Sequence, residues 1–176
     1  VFMQPQQYEP LLTLLGERLG LDPEGCLGTL TDVHADVTSY IPIIHGCDLF
    51  CTFCIIPYRR GRQRSRPIEE LKGEVEHLAR RGVKEVTLLG QTVDAYGHDL
   101  PARPDLADLL ETLHPVEGLE RIRFLTSHPM FMSNRIIEAV ASLDKVCEHI
   151  NLPVQAGDDE VLAGMRRQYT RDDYLR

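Results

Sequence analysis

The chain has 176 residues, 43% of them hydrophobic, a formal charge of −8 at pH 7 and five cysteines. That length is enough for one hydrophobic core, no apolar run approaches membrane-spanning length, and the acidic balance excludes a polycation that holds nucleic acid by bulk electrostatics. An odd cysteine count with three of the five clustered argues against a disulfide framework, and Val1-Phe2-Met3-Gln4-Pro5 shows neither a basic leader nor an apolar signal segment. The expectation is a cytoplasmic protein with reduced thiols and no membrane partner.

In chain order, Leu11, Leu12, Leu14, Leu15 and Leu19 predict an amphipathic helix ending near Gly20. Residues 21–39 mix Gly25, Gly28, Asp32, His34 and Asp36 without periodicity and read as a connector, so a domain boundary is expected between 39 and 40. From Tyr40 onward short β-like runs alternate with helical patterns, the signature of βαβ units on a parallel sheet. Strand one spans about 40–45, with Pro42 unable to donate a ladder hydrogen bond. The first helix follows Ser65 as N-cap, with Pro67, Glu69 and Glu70 in the first turn, an apolar face of Ile68, Leu71, Val75 and Leu78, and Gly82 as its stop.

Strand two runs from Val83 to Leu89. A helix at about 104–114, a strand at 119–125, a helix at 133–143, a strand at 146–152 and a helix at 158–167 follow, and Thr170 with Asp172 and Asp173 starts one more helix. The fold class predicted is α/β: a partial (β/α) barrel of the TIM type, about four βα units on a curled parallel sheet. In such barrels the loops after the strands meet at one edge, where the chemistry sits.

The densest chemistry lies in the loop after strand one, His45-Gly46-Cys47-Asp48-Leu49-Phe50-Cys51-Thr52-Phe53-Cys54. Thiolates spaced Cys-x3-Cys-x2-Cys can reach one small inorganic centre from a single loop, and three of them leave one metal position open. Two readings remain: an iron–sulfur cluster on Cys47, Cys51 and Cys54, or a zinc ion held by the same sulfurs and His45. Zinc motifs usually assemble two cysteine pairs that bracket a folded segment, so the cluster is preferred. Cys26 and Cys147 stand apart and read as plain thiols.

Cys47-x3-Cys51-x2-Cys54, with Phe53 before the last cysteine, resembles the signature of the radical S-adenosylmethionine (SAM) superfamily. Ile55-Ile56-Pro57-Tyr58-x-Arg60-Gly61, Ser65-Arg66-Pro67, Leu88-Leu89-Gly90-Gln91-x2-Asp94-x-Tyr96, Arg121-Ile122-Arg123-Phe124, Ser127-His128-Pro129 and Leu152-Pro153-Val154-Gln155-x-Gly157 are similar to the methylthiotransferases within it, most of all the MiaB-type tRNA enzymes. The related enzyme acting on an aspartate of ribosomal protein S12 shares the cysteine loop and is the alternative. A zinc-stabilised RNA-binding module without redox chemistry is the rival from another class.

The resemblance implies a transferase with a 4Fe–4S cluster on Cys47, Cys51 and Cys54 and SAM on the open iron. One electron from a donor such as flavodoxin would then generate a 5′-deoxyadenosyl radical, which acts at C2 of an N6-modified adenosine near the tRNA anticodon. It implies that residues 1–39 are the tail of an N-terminal methylthiotransferase domain and 40–176 a radical SAM domain cut short, with a second 4Fe–4S cluster only in the full-length protein. A monomer is expected. Phe53 would pack near the adenine, and Gln91, Ser127 and Gln155, at predicted strand ends, would hydrogen-bond SAM or substrate where ordinary turn chemistry is the alternative. His128 reads as orienting its own loop. Arg59, Arg60, Arg62, Arg64 and Arg66 form a local basic run expected to contact tRNA phosphates, against the alternative of a solvated loop.

Overall fold

A computed structural model describes residues 13, 14, 16–18 and 36–176 of the chain. The chain divides into two compact units, Val1–His34 and Ala35–Arg176. In the first, Thr13, Leu14 and residues 16–18 have helical backbone. The other leucines of the expected N-terminal helix, Cys26 and most of the connector lie outside the described residues.

The second unit holds a parallel sheet of three strands, β1 (Thr38–Pro42), β4 (Glu85–Leu89) and β5 (Arg121–Leu125), in the order β1-β4-β5. Two two-residue strands, β2 (Ile44–His45) and β3 (Arg64–Ser65), pair antiparallel beside it. The helices are α1 (Ile56–Arg60), α2 (Ile68–Arg80), α3 (Leu106–Leu113), α4 (Asn134–Ser142), α5 (Asp159–Gly164) and α6 (Arg171–Leu175). This is the predicted α/β class, a partial barrel.

Burial explains the order. Central β4 buries Val86, Thr87 and Leu88 in succession, as a strand covered on both faces must. Edge strand β1 buries Ile41 and leaves Tyr40 exposed, while β5 buries the alternate residues Ile122 and Phe124. Leu71 and Val75 from α2, Leu106, Leu109, Leu110 and Leu113 from α3, and Ile136 from α4 complete one core against these strands. Register is in phase across the sheet, with Ile41 beside Leu88 and Leu88 beside Phe124.

Local chemistry sets the helix starts. Asp105 accepts from Asp108 N–H (2.9 Å) while the Asp108 carboxylate accepts from Asp105 N–H (2.7 Å), a capping box for α3. Ser133, Asp158 and Thr170 cap α4, α5 and α6 in the same way from one side chain each, and Thr170 has Asp173 as reciprocal partner.

Three expectations are corrected. Ser65 does not cap α2; it sits in β3, and its hydroxyl and N–H donate to Asp99 (2.6 and 2.8 Å), a better acceptor that lies far away in sequence. Pro67 occupies the cap position instead. Strand one is two pieces: Pro42 ends β1, and Ile44–His45 turns to pair with β3. The strand at 146–152 contracts to one parallel bridge, Ile122 to Val146. His149 N–H turns back to Cys147 O (2.7 Å), and Glu148 and His149 are exposed, so the backbone leaves the ladder just after Val146. Ser127 N–H still reaches Asn151 O (3.0 Å), which keeps the fourth βα unit alongside β5. Short α1 and the 3-10 turns at Val93–Ala95 and Pro129–Phe131 are additions that no apolar period announces.

Candidate functional site

The loops after β1 and β2, after β4, after β5 and after the Val146 bridge meet at one edge around a cavity of about 380 Å³. Cys47, Cys51, Phe53 and Cys54 line it from the first loop, Gln91 and Thr92 from the second, Ser127 and His128 from the third, and Gln155 from the fourth. Residues far apart in the chain therefore share one wall because parallel strands carry all their following loops to the same side.

The cysteine loop is pinned at three points. Gly46 turns with φ of +74°, where a Cβ would overlap the carbonyl oxygens of Gly61 and Arg62, and Cys47 N–H donates to Gly61 O (3.2 Å). Thr52 N–H donates to Met165 O (3.2 Å), joining the loop to the end of α5. Cys47 and Cys51 are buried and Cys54 partly so. Cys47 Sγ accepts from Leu49 N–H (3.4 Å) and lies 3.6 Å from Thr92 Oγ1.

His45, the fourth ligand in the zinc reading, is exposed, lines a neighbouring groove with Arg60 and does not line the sulfur cavity. Among the described residues no three Cys, His, Asp or Glu side chains gather on a single-ion site. A zinc ion needs every ligand at about 2.0–2.3 Å from one point. A cluster takes each thiolate at a separate iron, so sulfurs spread around one cavity suit it better.

Several residues here go beyond the sequence expectations. His128, expected only to orient its loop, is buried in the cavity wall; Nδ1 accepts from Met130 N–H (3.2 Å), so the neutral ring carries its proton on Nε2, which has no partner among the described residues. Burial, then the nearby Arg167 charge, pushes its pKa down to about 4. Asp94 accepts from His128 N–H (2.7 Å), and burial pushes its pKa up to about 7 against that hydrogen bond. Gln91 Oε1, Asp94 Oδ1 and Ser127 Oγ are also buried without a partner among the described residues. Unpaired buried polar atoms cost about 1–3 kcal/mol each, so a group of them beside a cavity marks a place where a polar ligand or water is received. Two cavity residues, Thr126 (φ 75°) and Gln155 (φ 69°), hold left-handed backbone that non-glycine residues seldom adopt.

The arginine run is elsewhere and is not uniform. Arg62 pairs with Asp48 (2.7 Å), and Arg66 is enclosed by Glu70 and Glu74 and donates to Pro42 O (3.0 Å). Arg59 and Arg64 are exposed and make no ion pair among the described residues. Arg60 lines the groove beside His45. None of the five lines the sulfur cavity. Cys147 lines a third hollow with Arg121, at the other end of β5.

A model of the radical SAM superfamily matches residues 41–176. Among curated proteins, the tRNA-2-methylthio-N(6)-dimethylallyladenosine synthase of Herpetosiphon aurantiacus is 49% identical over 175 residues, covering 99% of this chain and 40% of that protein. The protein of the same name from a Dehalococcoides mccartyi strain is 57% identical over 147 residues, covering 84% of this chain and 35% of that protein. The chain thus spans about two fifths or less of the length of these relatives. Among solved structures, the radical SAM methyltransferase TsrM from Kitasatospora setae, with cobalamin and a 4Fe–4S cluster bound, superposes with a TM-score of 0.62 at 20% identity over 79% of this chain and 27% of that one. The cobalamin-dependent radical SAM enzyme OxsB gives 0.61 at 17% identity over 77% of this chain and 21% of that one. At these identities the structural likenesses speak for the fold.

Proposed function

We propose, from the premise that this chain belongs to the radical SAM superfamily, that its cavity holds a 4Fe–4S cluster on Cys47, Cys51 and Cys54 with SAM beside it. We propose further that the whole protein methylthiolates an N6-modified adenosine of tRNA. One observation carries the reading: three thiols of one loop and the polar residues Gln91, Ser127 and Gln155, from three other strand-end loops, line a single cavity. The residues present fit the group, since the donors are thiols and the unpaired Gln91 Oε1, Ser127 Oγ and His128 Nε2 suit a polar cofactor. The name shared by relatives 49–57% identical supports tRNA over ribosomal protein S12 as substrate.

Such a cluster with SAM supplies reductive cleavage of a sulfonium bond, for which a flavodoxin-class protein is a suitable electron donor. The chain's own residues bind, orient and exclude water. Phe53, more than half exposed, offers an apolar ring to the adenine. Gln91, Ser127 and Gln155 accept or donate hydrogen bonds around SAM, and His128 presents its Nε2–H as a fixed donor. Asp94, outside the cavity lining, holds the Ser127-His128 backbone in place. Arg59 and Arg64 meet RNA phosphates, which adds salt-dependent affinity without reading sequence. Residues 1–39 belong with a preceding domain in this reading, and the protein works as a monomer in the cytoplasm.

Anaerobic reconstitution of the full-length protein tests the core of it. Wild type takes up iron and sulfide in the site, and Cys51→Ala loses that share while keeping its far-UV spectrum. Retention of zinc alone, with no SAM cleavage under reduction, would refute the proposal.

A further inference from the structure

Arg167 is 6% exposed, yet among the described residues no Asp or Glu forms an ion pair with it. Asp94 feels its field without forming an ion pair with it. The guanidinium donates instead to Cys51 Sγ (Nη1, 3.5 Å) and Tyr169 Oη (Nε, 3.4 Å), and lies 5.5 Å from the centre of the Tyr169 ring. Tyr169 is itself locked: its hydroxyl donates to Val154 O (2.6 Å) and its ring meets His128 edge to face. The backbone on both sides of Arg167 is left-handed, with Arg166 at φ 58° and Gln168 at φ 57°, conformations that non-glycine residues seldom take. A buried charge without a carboxylate calls for an anion from another source, and the atom it touches is a sulfur.

We infer that Arg167 is a positioning residue that sets the reduction potential of the cluster, by donating a hydrogen bond to the Cys51 thiolate and placing a fixed positive charge beside it. The inference rests on the cluster assignment made above. The electron comes from a low-potential donor of the flavodoxin class, or dithionite in the test; it enters the cluster, and no bond to Arg167 forms or breaks. The reduced cluster carries one more negative charge, so a cation and a donor at its thiolate favour the reduced form and raise the potential.

The test is a spectroscopic redox titration of the reconstituted full-length protein without SAM, comparing wild type with Arg167→Gln and Arg167→Lys at matched iron and sulfide content. The expected result for Arg167→Gln is a reduced-to-oxidised ratio at fixed potential lowered on the order of tenfold, equivalent to a shift of about 59 mV for one electron. Arg167→Lys, which keeps the charge and loses the fork, falls between the two. If Arg167→Gln does not fold, a potential for Arg167→Lys below that of wild type upholds the inference and an equal one overturns it. A full cluster in Arg167→Gln with an unmoved potential overturns it; weaker SAM binding by that same protein, measured separately by equilibrium titration, would then place the guanidinium on the ligand. A wild-type protein that takes up no iron in this site overturns the cluster assignment itself, a separate failure.

Discussion

Asp94 and His128 are neighbours with opposite pH logic. Asp94, held at about 7 by burial, binds one more proton folded than unfolded between its ordinary 3.8 and 7, so the stability it contributes is complete below about pH 4 and lost as pH rises through 7. His128, held at about 4, binds one proton fewer folded than unfolded between 4 and its ordinary 6.5, so its contribution is present above 6.5 and lost as pH falls through 4. The slopes oppose between about pH 4 and 6.5. Asp94→Asn is therefore expected to uncover the histidine: between pH 5 and 6.5 the stability of the full-length variant from urea unfolding rises with pH more steeply than that of wild type, by up to about 1.4 kcal/mol per pH unit. At this scale the cysteines were legible because their meaning lies in spacing along one loop. Arg167, Asp94 and the cavity role of His128 were not, because each depends on burial and on partners 34 to 116 residues away.

Among elements, the cysteine loop and α3 carry the sharpest local requirements. Any Cβ at Gly46 collides with the backbone oxygens of Gly61 and Arg62, so Gly46→Ala must displace the turn that positions Cys47. We expect a loss of more than about 1 kcal/mol in chemical denaturation and reduced iron uptake on reconstitution. Asp105→Ala removes the α3 cap and is expected to cost about 1–2 kcal/mol by the same measurement, without changing iron content. Phe124→Ala, in the middle of the core, is expected to cost about 3–5 kcal/mol. The helices α2, α3 and α4 were readable because each buries a periodic apolar face, within two or three residues at their ends. A strand over the whole of 146–152 follows from apolar content alone, which does not specify a pairing partner, and the acceptor that draws Ser65 away from α2, Asp99, lies 34 residues on, beyond any local capping rule.

For the molecule as a whole, the net charge of −8 and a local arginine run pull in opposite directions. Ion pairs decide which arginines remain available: Arg62 and Arg66 are engaged by Asp48, Glu70 and Glu74, while Arg59 and Arg64 face solvent. Replacing Arg59 and Arg64 by Ala in the full-length protein should weaken binding of a tRNA anticodon stem–loop and lower the salt slope by about 0.7–0.9 for each phosphate no longer neutralised, read by anisotropy at several salt concentrations. Arg62→Ala should change the slope less. The α/β class, the alternation of units and the thiolate loop follow from short-range pattern: apolar period, turn residues and a spacing that one loop can satisfy. Which polar atoms stand unpaired at one cavity, which arginines are neutralised, and which cation meets Cys51 follow from long-range packing, because a parallel sheet brings loops separated by whole βα units to one edge. The thiolate loop thus announced itself in the chain, while its electrostatic surroundings exist only once the strands are side by side.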